Sequence, residues 1–478
     1  MRVTYLRYLL IVMLSGCTVG PDYQSVQLNA PEHWQAESEL SREFKQVDAR
    51  QLDYWWHGFS DDALNHLMLL ALKGNKDLKM AQVRIIEARA ERGGVRAGLF
   101  PSVNVKAGAQ RQDNPMPAFA PGMRYNLFEL GFDALWEVDV FGRQQRRLEA
   151  ATADVDAANE SYRQAAVLLT AEVARCYIEY RNGQQLLRIT QANLATMQKT
   201  QTLTERRFQE GVGTRYDVVR AKAQTETTQA QLPVLQANKI ANLRQLELLI
   251  GGKPGSLAAE LDKLSDIPTL SGQMLLMSPV ETLRHRPDIH VAERHLAAAT
   301  AMQGAAMAEL FPKISLSAFL GLRNTDLDSL FKSAAFSYGT LANLVQPLLN
   351  FGKIQAGIDL ADAKQKEAYL AYEKTVLDAL RETETALTRY LQEEIRRQRL
   401  VGAVAEQQES LRLSQLRYKE GASSFLDVLE AQRALYVVES ELANSQAASA
   451  IYLVALYKSL GGGANAVSLA LRFNEETA

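Results

Sequence analysis

The second half of this 478-residue chain restates its first half at an offset of about 210 residues. Near the start of each copy Asn75-Lys76-Asp77-Leu78 aligns with Arg286-Pro287-Asp288-Ile289, and Ala81, Ala88, Ala97, Phe100 and Pro101 then fall on Ala292, Ala299, Ala308, Phe311 and Pro312. Further along, Phe141-Gly142 matches Phe351-Gly352, and Tyr162 and Tyr180 match Tyr372 and Tyr390. A third block pairs Arg207-Phe208-Gln209-Glu210-Gly211 with Arg417-Tyr418-Lys419-Glu420-Gly421, and Asp217 with Asp427. Three separated blocks at offsets of 210 or 211 residues exclude coincidence. Any fold must therefore accommodate an internal duplication of a domain-sized unit, far longer than a solenoid repeat.

Each copy reads as a helix, two strands, a very long helix, a turn and a further helix. After Pro101, Val103, Val105, Ala107 and Ala109 alternate with Ser102, Asn104, Lys106 and Gln110. In the second copy Ile314, Leu316, Ala318, Leu320 and Leu322 oppose Lys313, Ser315, Ser317, Gly321 and Arg323. Leu130, Phe132, Ala134, Trp136 and Val138 likewise oppose Glu129, Gly131, Asp133, Glu137 and Asp139, while a fourth strand near 336–346 is less regular. Strands with one apolar and one polar face are what a transmembrane β-barrel requires, although alternation alone does not exclude a half-buried sheet in a soluble protein. The segments between paired strands, 111–125 with its three prolines and 324–335, read as external loops. In lipid, four strands leave unpaired edges, so such a chain has to oligomerise, and three copies giving about twelve strands close a barrel.

The helices carry a second geometric signal. Between Phe141 and Glu210 there is no proline, and Leu148, Ala151, Val155, Ala158, Tyr162, Ala165, Leu169, Val173, Cys176 and Tyr180 recur by threes and fours. A run of roughly 69 residues at 1.5 Å each predicts a helix about 100 Å long, matched over 351–420. Shorter helices over about 71–98 and 214–250 sum to nearly that length, so they could stack beside a long one.

At the N-terminus Arg2 and Arg7 precede the short apolar run 9–14 and Ser15-Gly16-Cys17, the layout of a secretory signal peptide. Leu14-Ser15-Gly16-Cys17 resembles the bacterial lipobox, which makes Cys17 the expected acylated first residue of the mature chain and its covalent lipid the only prosthetic group expected. Thr18, instead of aspartate, favours delivery to the outer membrane. The other cysteine, Cys176, lies on the helical stripe and is expected to be a small buried residue. A net charge of -2 gives no field to attract nucleic acid. A mean hydropathy of -0.18, with no later apolar run of helix-spanning length, argues against helical membrane spans.

Cys17-Thr18-Val19-Gly20-Pro21-Asp22-Tyr23, then Trp55-Trp56-His57-Gly58-Phe59-Ser60-Asp61, Arg286-Pro287-Asp288-Ile289 and the two Arg-aromatic-x-x-Gly turns together resemble the TolC-type outer-membrane factors. Within them they resemble the lipoprotein branch of resistance-nodulation-division tripartite efflux systems. The resemblance implies an α+β membrane protein: a homotrimer with a twelve-stranded transmembrane β-barrel, four strands per chain, continuous with a long periplasmic α-helical barrel. It implies a passive exit for drugs or other small toxic compounds, resting in the outer membrane of a Gram-negative bacterium and extending into the periplasm. Its partners would be a periplasmic adaptor (membrane fusion) protein and an inner-membrane resistance-nodulation-division transporter. The expected organisation is a signal peptide (1–16), an N-terminal anchor and equatorial segment (17–70), a first repeat (71–250, strands near 99–140, long helix 142–210, helix 214–250), an equatorial linker (251–280), a second repeat (281–460, strands near 310–348, long helix 351–420, helix 424–460) and a C-terminal equatorial tail (461–478).

The resemblance also assigns candidate residues. Adaptor contact falls at the tip turns, on Arg207, Gly211, Gly213, Arg417, Gly421 and Ser423. A periplasmic gate falls on Tyr216, Asp217, Leu426, Asp427 and Glu430, which threefold symmetry would turn into rings that select and constrict. Leu426 and Glu430 share a helical face at i, i+4. Asp217 and Asp427 have a second reading as stabilisers of helix N-termini, and Arg207 and Arg417 as partners of helix C-termini.

An enzyme finds little support. No phosphate-binding glycine loop, nucleophile elbow or cysteine pair occurs, and His285, His290 and His295 are spaced by five, about 140° apart on a helix. A type I secretion exit or a non-conducting trimeric outer-membrane lipoprotein remains an alternative of another class.

Overall fold

The computed structural model describes residues 18–27, 30–39, 44–114 and 123–466. The expected signal peptide, the Cys17 lipid anchor, the loop tip over 115–122 and the tail beyond 466 lie outside the described residues. Along the chain come β1 (Phe44–Gln46), a 3-10 stretch (Ala49–Phe59), α1 (Asp62–Gly74), α2 (Lys76–Ala97), β2 (Ser102–Asn114), β3 (Met123–Val138), α3 (Arg143–Gln209) and α4 (Arg215–Leu249). After these follow α5 (Ala258–Leu261), β4 (Met274–Leu276), α6 (Pro279–His285), α7 (Pro287–Met307), β5 (Lys313–Asn324), β6 (Phe336–Val345), α8 (Lys353–Lys419) and α9 (Phe425–Ser459). The paired helices match in length, 67 residues in α3 and α8 and 35 in α4 and α9. Among the described residues no helix is long and apolar enough to cross a membrane.

Two compact units share these elements. The first, drawn from 1–26, 83–159 and 290–374, holds a four-stranded antiparallel sheet ordered β2-β3-β5-β6. Its register sets Val105, Phe132, Leu320 and Tyr338 in one row across all four strands, with Ala107, Leu130, Leu322 and Phe336 in the next equivalent row. Large side chains on this face are exposed: Val105 by 72%, Phe132 by 56%, Leu320 by 52% and Tyr338 by 78%. They form one apolar surface that none of the other described residues covers. The opposite face carries Lys106, whose Nζ lies 2.6 Å from Glu129, and Arg323, 3.3 Å from the same carboxylate. Phe319 is an aromatic on that polar face. Its ring lies under the Arg323 guanidinium, 3.9 Å from it, and against Gly131 and Gly321, which are register partners. A Cβ on Gly131 would stand 2.7 Å from the Gly321 Cα and 2.9 Å from the Phe319 ring, so this close approach requires glycine.

In the same unit the N-terminal strap is tied to the start of α3. The Val19 amide donates to the Phe141 carbonyl, and Arg146 donates to the carbonyls of Val19 and Gly20 and to Asp22. Tyr23 donates to Glu293 on α7 at 2.9 Å.

The second unit, from 27–82, 160–289 and 375–478, contains the main core. Trp55, Trp56 and Phe59 from the 3-10 stretch pack with Tyr177, Tyr180 and Tyr457 from the long and following helices. Trp55 and Tyr457 have ring centroids 5.4 Å apart. Asp61 caps α1 at the Leu64 amide and also accepts from the Tyr177 hydroxyl. Cys176 is fully buried beside Glu172, and burial pushes its thiol up to about 12, so it has no reactive thiolate at neutral pH. Short parallel pairing of β1 with β4, and a bond from the Gly463 amide to the Leu52 carbonyl, bring the N-terminal stretch, the middle linker and the tail together.

The helix expected from about residue 71 instead begins at Asp62 and breaks at Asn75, whose ψ of 134° is extended. The break has a physical cause. Asn75 accepts from the Leu78 amide to cap α2, and its Nδ2 donates to the Leu249 carbonyl at the end of α4. In the second copy Arg286 divides α6 from α7 and donates to the Ser459 carbonyl at the end of α9, while also gripping Asp288 and Glu382. One backbone need, a helix C-terminus lacking donors, is met by an amide in one copy and a buried guanidinium in the other. Removing a buried, paired charge costs about 3 kcal/mol or more because its partners are left behind. Arg286→Ala is therefore expected to lower the thermal midpoint of the detergent-solubilised protein by several degrees, with Arg286→Lys falling between it and the parent. An unchanged midpoint on scanning calorimetry for the alanine variant contradicts this role.

Candidate functional site: the paired helical turns

The chain reverses twice at equivalent places, and both turns lie in the second unit. α3 ends where Gly211 takes φ 78° and α8 where Gly421 takes φ 76°, a left-handed conformation that suits glycine. The Val212 amide returns to the Arg207 carbonyl and the Gly211 amide to Phe208; Ala422 and Gly421 do the same to Arg417 and Tyr418. This is the paired bonding of a Schellman ending, and it satisfies carbonyls that the helix leaves open. A Cβ on Gly211 or Gly421 would meet nothing within 4 Å, so both turn apices face open space.

The following helices start with capping boxes. Thr214 Oγ1 accepts from the Asp217 amide while the Asp217 carboxylate accepts from the Thr214 amide at 3.3 Å. Ser424 and Asp427 repeat this, with the Ser424 amide 3.0 Å from the carboxylate. Both aspartates proposed for a gate thus already hold helix N-termini. The pattern Ser/Thr-x-x-Asp that makes these caps is visible in the sequence.

The two turns are not alike beyond their backbones. Arg207 lies over the Tyr418 ring at 4.5 Å, joining the first turn to the second, whereas Arg417 is exposed. Tyr216 is 67% exposed, and its ring and hydroxyl are met by Arg220 one turn on. Its counterpart Leu426 is partly covered, and Glu430 is exposed. A cleft brings together Arg207, Gly213, Tyr216, Asp217, Ser423 and Leu426 with Tyr418 and Phe425. A second groove holds Arg417, Ser423 and Asp427 with Glu406, Glu409 and Ser410. Glu430, Gly211 and Gly421 border neither. Sequence reasoning missed Tyr418, Phe425 and Arg220 as members of the site; the only advance signal was the aromatic in each Arg-aromatic-x-x-Gly turn. His290 and His295 lie near Glu293 and Asp154, at 3.4 and 3.8 Å.

The geometry offers exposed turns, capped helices and side chains that could close on one another. Thr214→Ala and Ser424→Ala are each expected to cost about 1 kcal/mol at the helix start, which speeds first-turn amide exchange about fivefold. Equal exchange in parent and variants by hydrogen–deuterium mass spectrometry contradicts the capping assignment.

Comparison with known proteins agrees with this architecture. The family model described as "Outer membrane efflux protein" matches twice, over residues 67–252 and 278–462. The chain is 32% identical over 465 residues to nodulation protein T of Rhizobium leguminosarum bv. trifolii, covering 96% of this chain and 97% of that protein. It is 31% identical over 460 residues to the solvent efflux pump outer membrane protein SrpC of Pseudomonas putida, with 95% and 97% covered. Among solved structures, the outer-membrane channel OprN superposes with a TM-score of 0.88 at 34% identity, over 94% of this chain and all of that one. The chain belongs to the outer membrane efflux protein family, the TolC-type channels.

Proposed function

We propose that the chain is the outer-membrane channel of a tripartite efflux pump, a passive conduit for drugs or other small toxic compounds. The observation that carries this reading is the four-stranded sheet with one continuous apolar face and two edges left open among the described residues, in a chain that also builds 67-residue helices. An apolar face of this kind suits lipid, but edges do not, since unpaired backbone groups in hydrocarbon cost several kcal/mol each. Three copies supply twelve strands and close the barrel, and the paired helices, related by the duplication, supply a periplasmic α-barrel. Lys106, Glu129, Arg323 and Asp133 then face water inside.

Acylation of Cys17 fits the same arrangement. Val19 is bonded to Phe141, between the end of β3 and the start of α3, so acyl chains on Cys17 would enter the leaflet beside the strand ends. At the other end of the long helices the open apices Gly211 and Gly421, with Gly213, Ser423, Arg207 and Arg417 beside them, are the docking point for a periplasmic adaptor, which links the channel to a resistance-nodulation-division transporter. Tyr216, Leu426 and Glu430, with Asp217 and Asp427, form the closing constriction.

The structure sharpens the test of that gate. Asp427→Asn keeps a capping oxygen and removes only charge, while Leu426→Ala with Glu430→Ala touches no cap. Both variants are expected to raise the closed-state conductance of the purified protein in planar bilayers several-fold and to sensitise cells to vancomycin. Unchanged conductance and unchanged sensitivity in both remove the gate assignment; absence of any conductance in the parent removes the channel reading and favours a structural lipoprotein.

A further inference from the structure

The two copies present equivalent faces near the turns, one covered and one bare. On α9, Phe425, Val428 and Gln432 are buried; Gln432 donates to Thr200 on α3 at 2.9 Å, and the Phe425 ring lies 5.7 Å from that of Tyr418 on α8. Their counterparts at the start of α4, about 210 residues earlier, are Arg215 and Lys222, both exposed, and the half-buried Val218. The receiving side shows the same contrast. Thr204 on α3 is buried, while its counterpart Ser414 on α8 is only half-buried, and Ser410, the counterpart of Thr200, is exposed. Arg207 has its aromatic partner in Tyr418; Arg417 is exposed, and so is Phe208, the counterpart of Tyr418.

We infer that the bare face of α8 receives the bare start of α4 from a second copy, repeating between chains the joint that α3 and α9 make within one. Arg417 stacks on Phe208 of the partner subunit, and Lys222 of the partner subunit reaches Ser410 where Gln432 reaches Thr200. The charges complement this exchange. Within the chain a neutral glutamine meets a face carrying Thr196 and Lys199; between chains a lysine meets the same positions occupied by Glu406 and Glu409. The substitution on one side is matched by the substitution on the other, which fixes the order in which halves alternate round the ring: a first-copy turn docks on a second-copy helix of the neighbour. This inference rests on the oligomeric channel reading and adds to it the residues that join the copies at the turn end.

Cross-linking distinguishes the two joints. In the full-length lipidated protein, Phe208→Cys with Arg417→Cys, treated with a short bismaleimide, is expected to give covalent dimers and trimers on a denaturing gel, and each single variant none. Arg207→Cys with Tyr418→Cys, the joint inside the chain, is expected to stay at monomer mass. A preparation that conducts in planar bilayers but yields no ladder overturns the joint alone; one that neither conducts nor cross-links overturns the channel reading with it. Charge reversal provides an independent arm. Lys222→Glu is expected to lower the tolerated vancomycin concentration several-fold, and Glu409→Lys in the same chain to restore it. Because Lys222 also lies 3.3 Å from Glu205 of its own chain, restoration by Glu205→Lys in place of Glu409→Lys assigns the charge to the within-chain pair and overturns the proposal.

Discussion

Unpaired backbone at the two edges of the four-stranded sheet is the constraint on which the account turns. Among the described residues β2 pairs only with β3, and β6 only with β5. Water satisfies such edges; hydrocarbon does not, and the exposed row of Val105, Phe132, Leu320 and Tyr338 suits hydrocarbon better than water. One physical requirement, pairing every edge strand, therefore converts an apolar sheet face into a demand for further copies. The turn region makes the same demand with side chains, since the starts of α4 and α9 share a design, yet Phe425, Val428 and Gln432 of α9 are buried more deeply than Arg215, Val218 and Lys222 of α4.

Duplication explains why incompleteness of this kind is cheap to encode. Two copies of one unit preserve the backbone solution and vary the chemistry that fills it. Helix ends capped by Asn75 in one copy are capped by Arg286 in the other. Gly213 becomes Ser423, and Tyr216 with Arg220 becomes Leu426 with Glu430, so six equivalent positions round a trimer would alternate between two surfaces. Alternation allows one turn to be locked inside a chain, through Arg207 and Tyr418, and the other to be joined across chains.

The long helices and the alternating strands are legible in the sequence because each rests on a periodic signal that persists over many residues. What escapes it depends on contacts between distant segments. The breaks at Asn75 and Arg286 arise from carbonyls more than a hundred residues away. Pairing of β1 with β4 joins two three-residue strands too short for a period to register. At the turns the glycines and the capping pattern are readable, but the stacking of Arg207 on Tyr418 is not, since nothing local says which copy's aromatic it meets. Phe319, an aromatic on an otherwise polar strand face, makes sense only once Gly131 and Gly321 are seen to leave it room.

The most direct test of the central claim is the native mass of the purified, lipidated protein in mild detergent. The account predicts three copies per particle, the number that turns four strands into a closed barrel of twelve. A particle of one copy, stable and fully folded in detergent with its sheet edges unpaired, contradicts it.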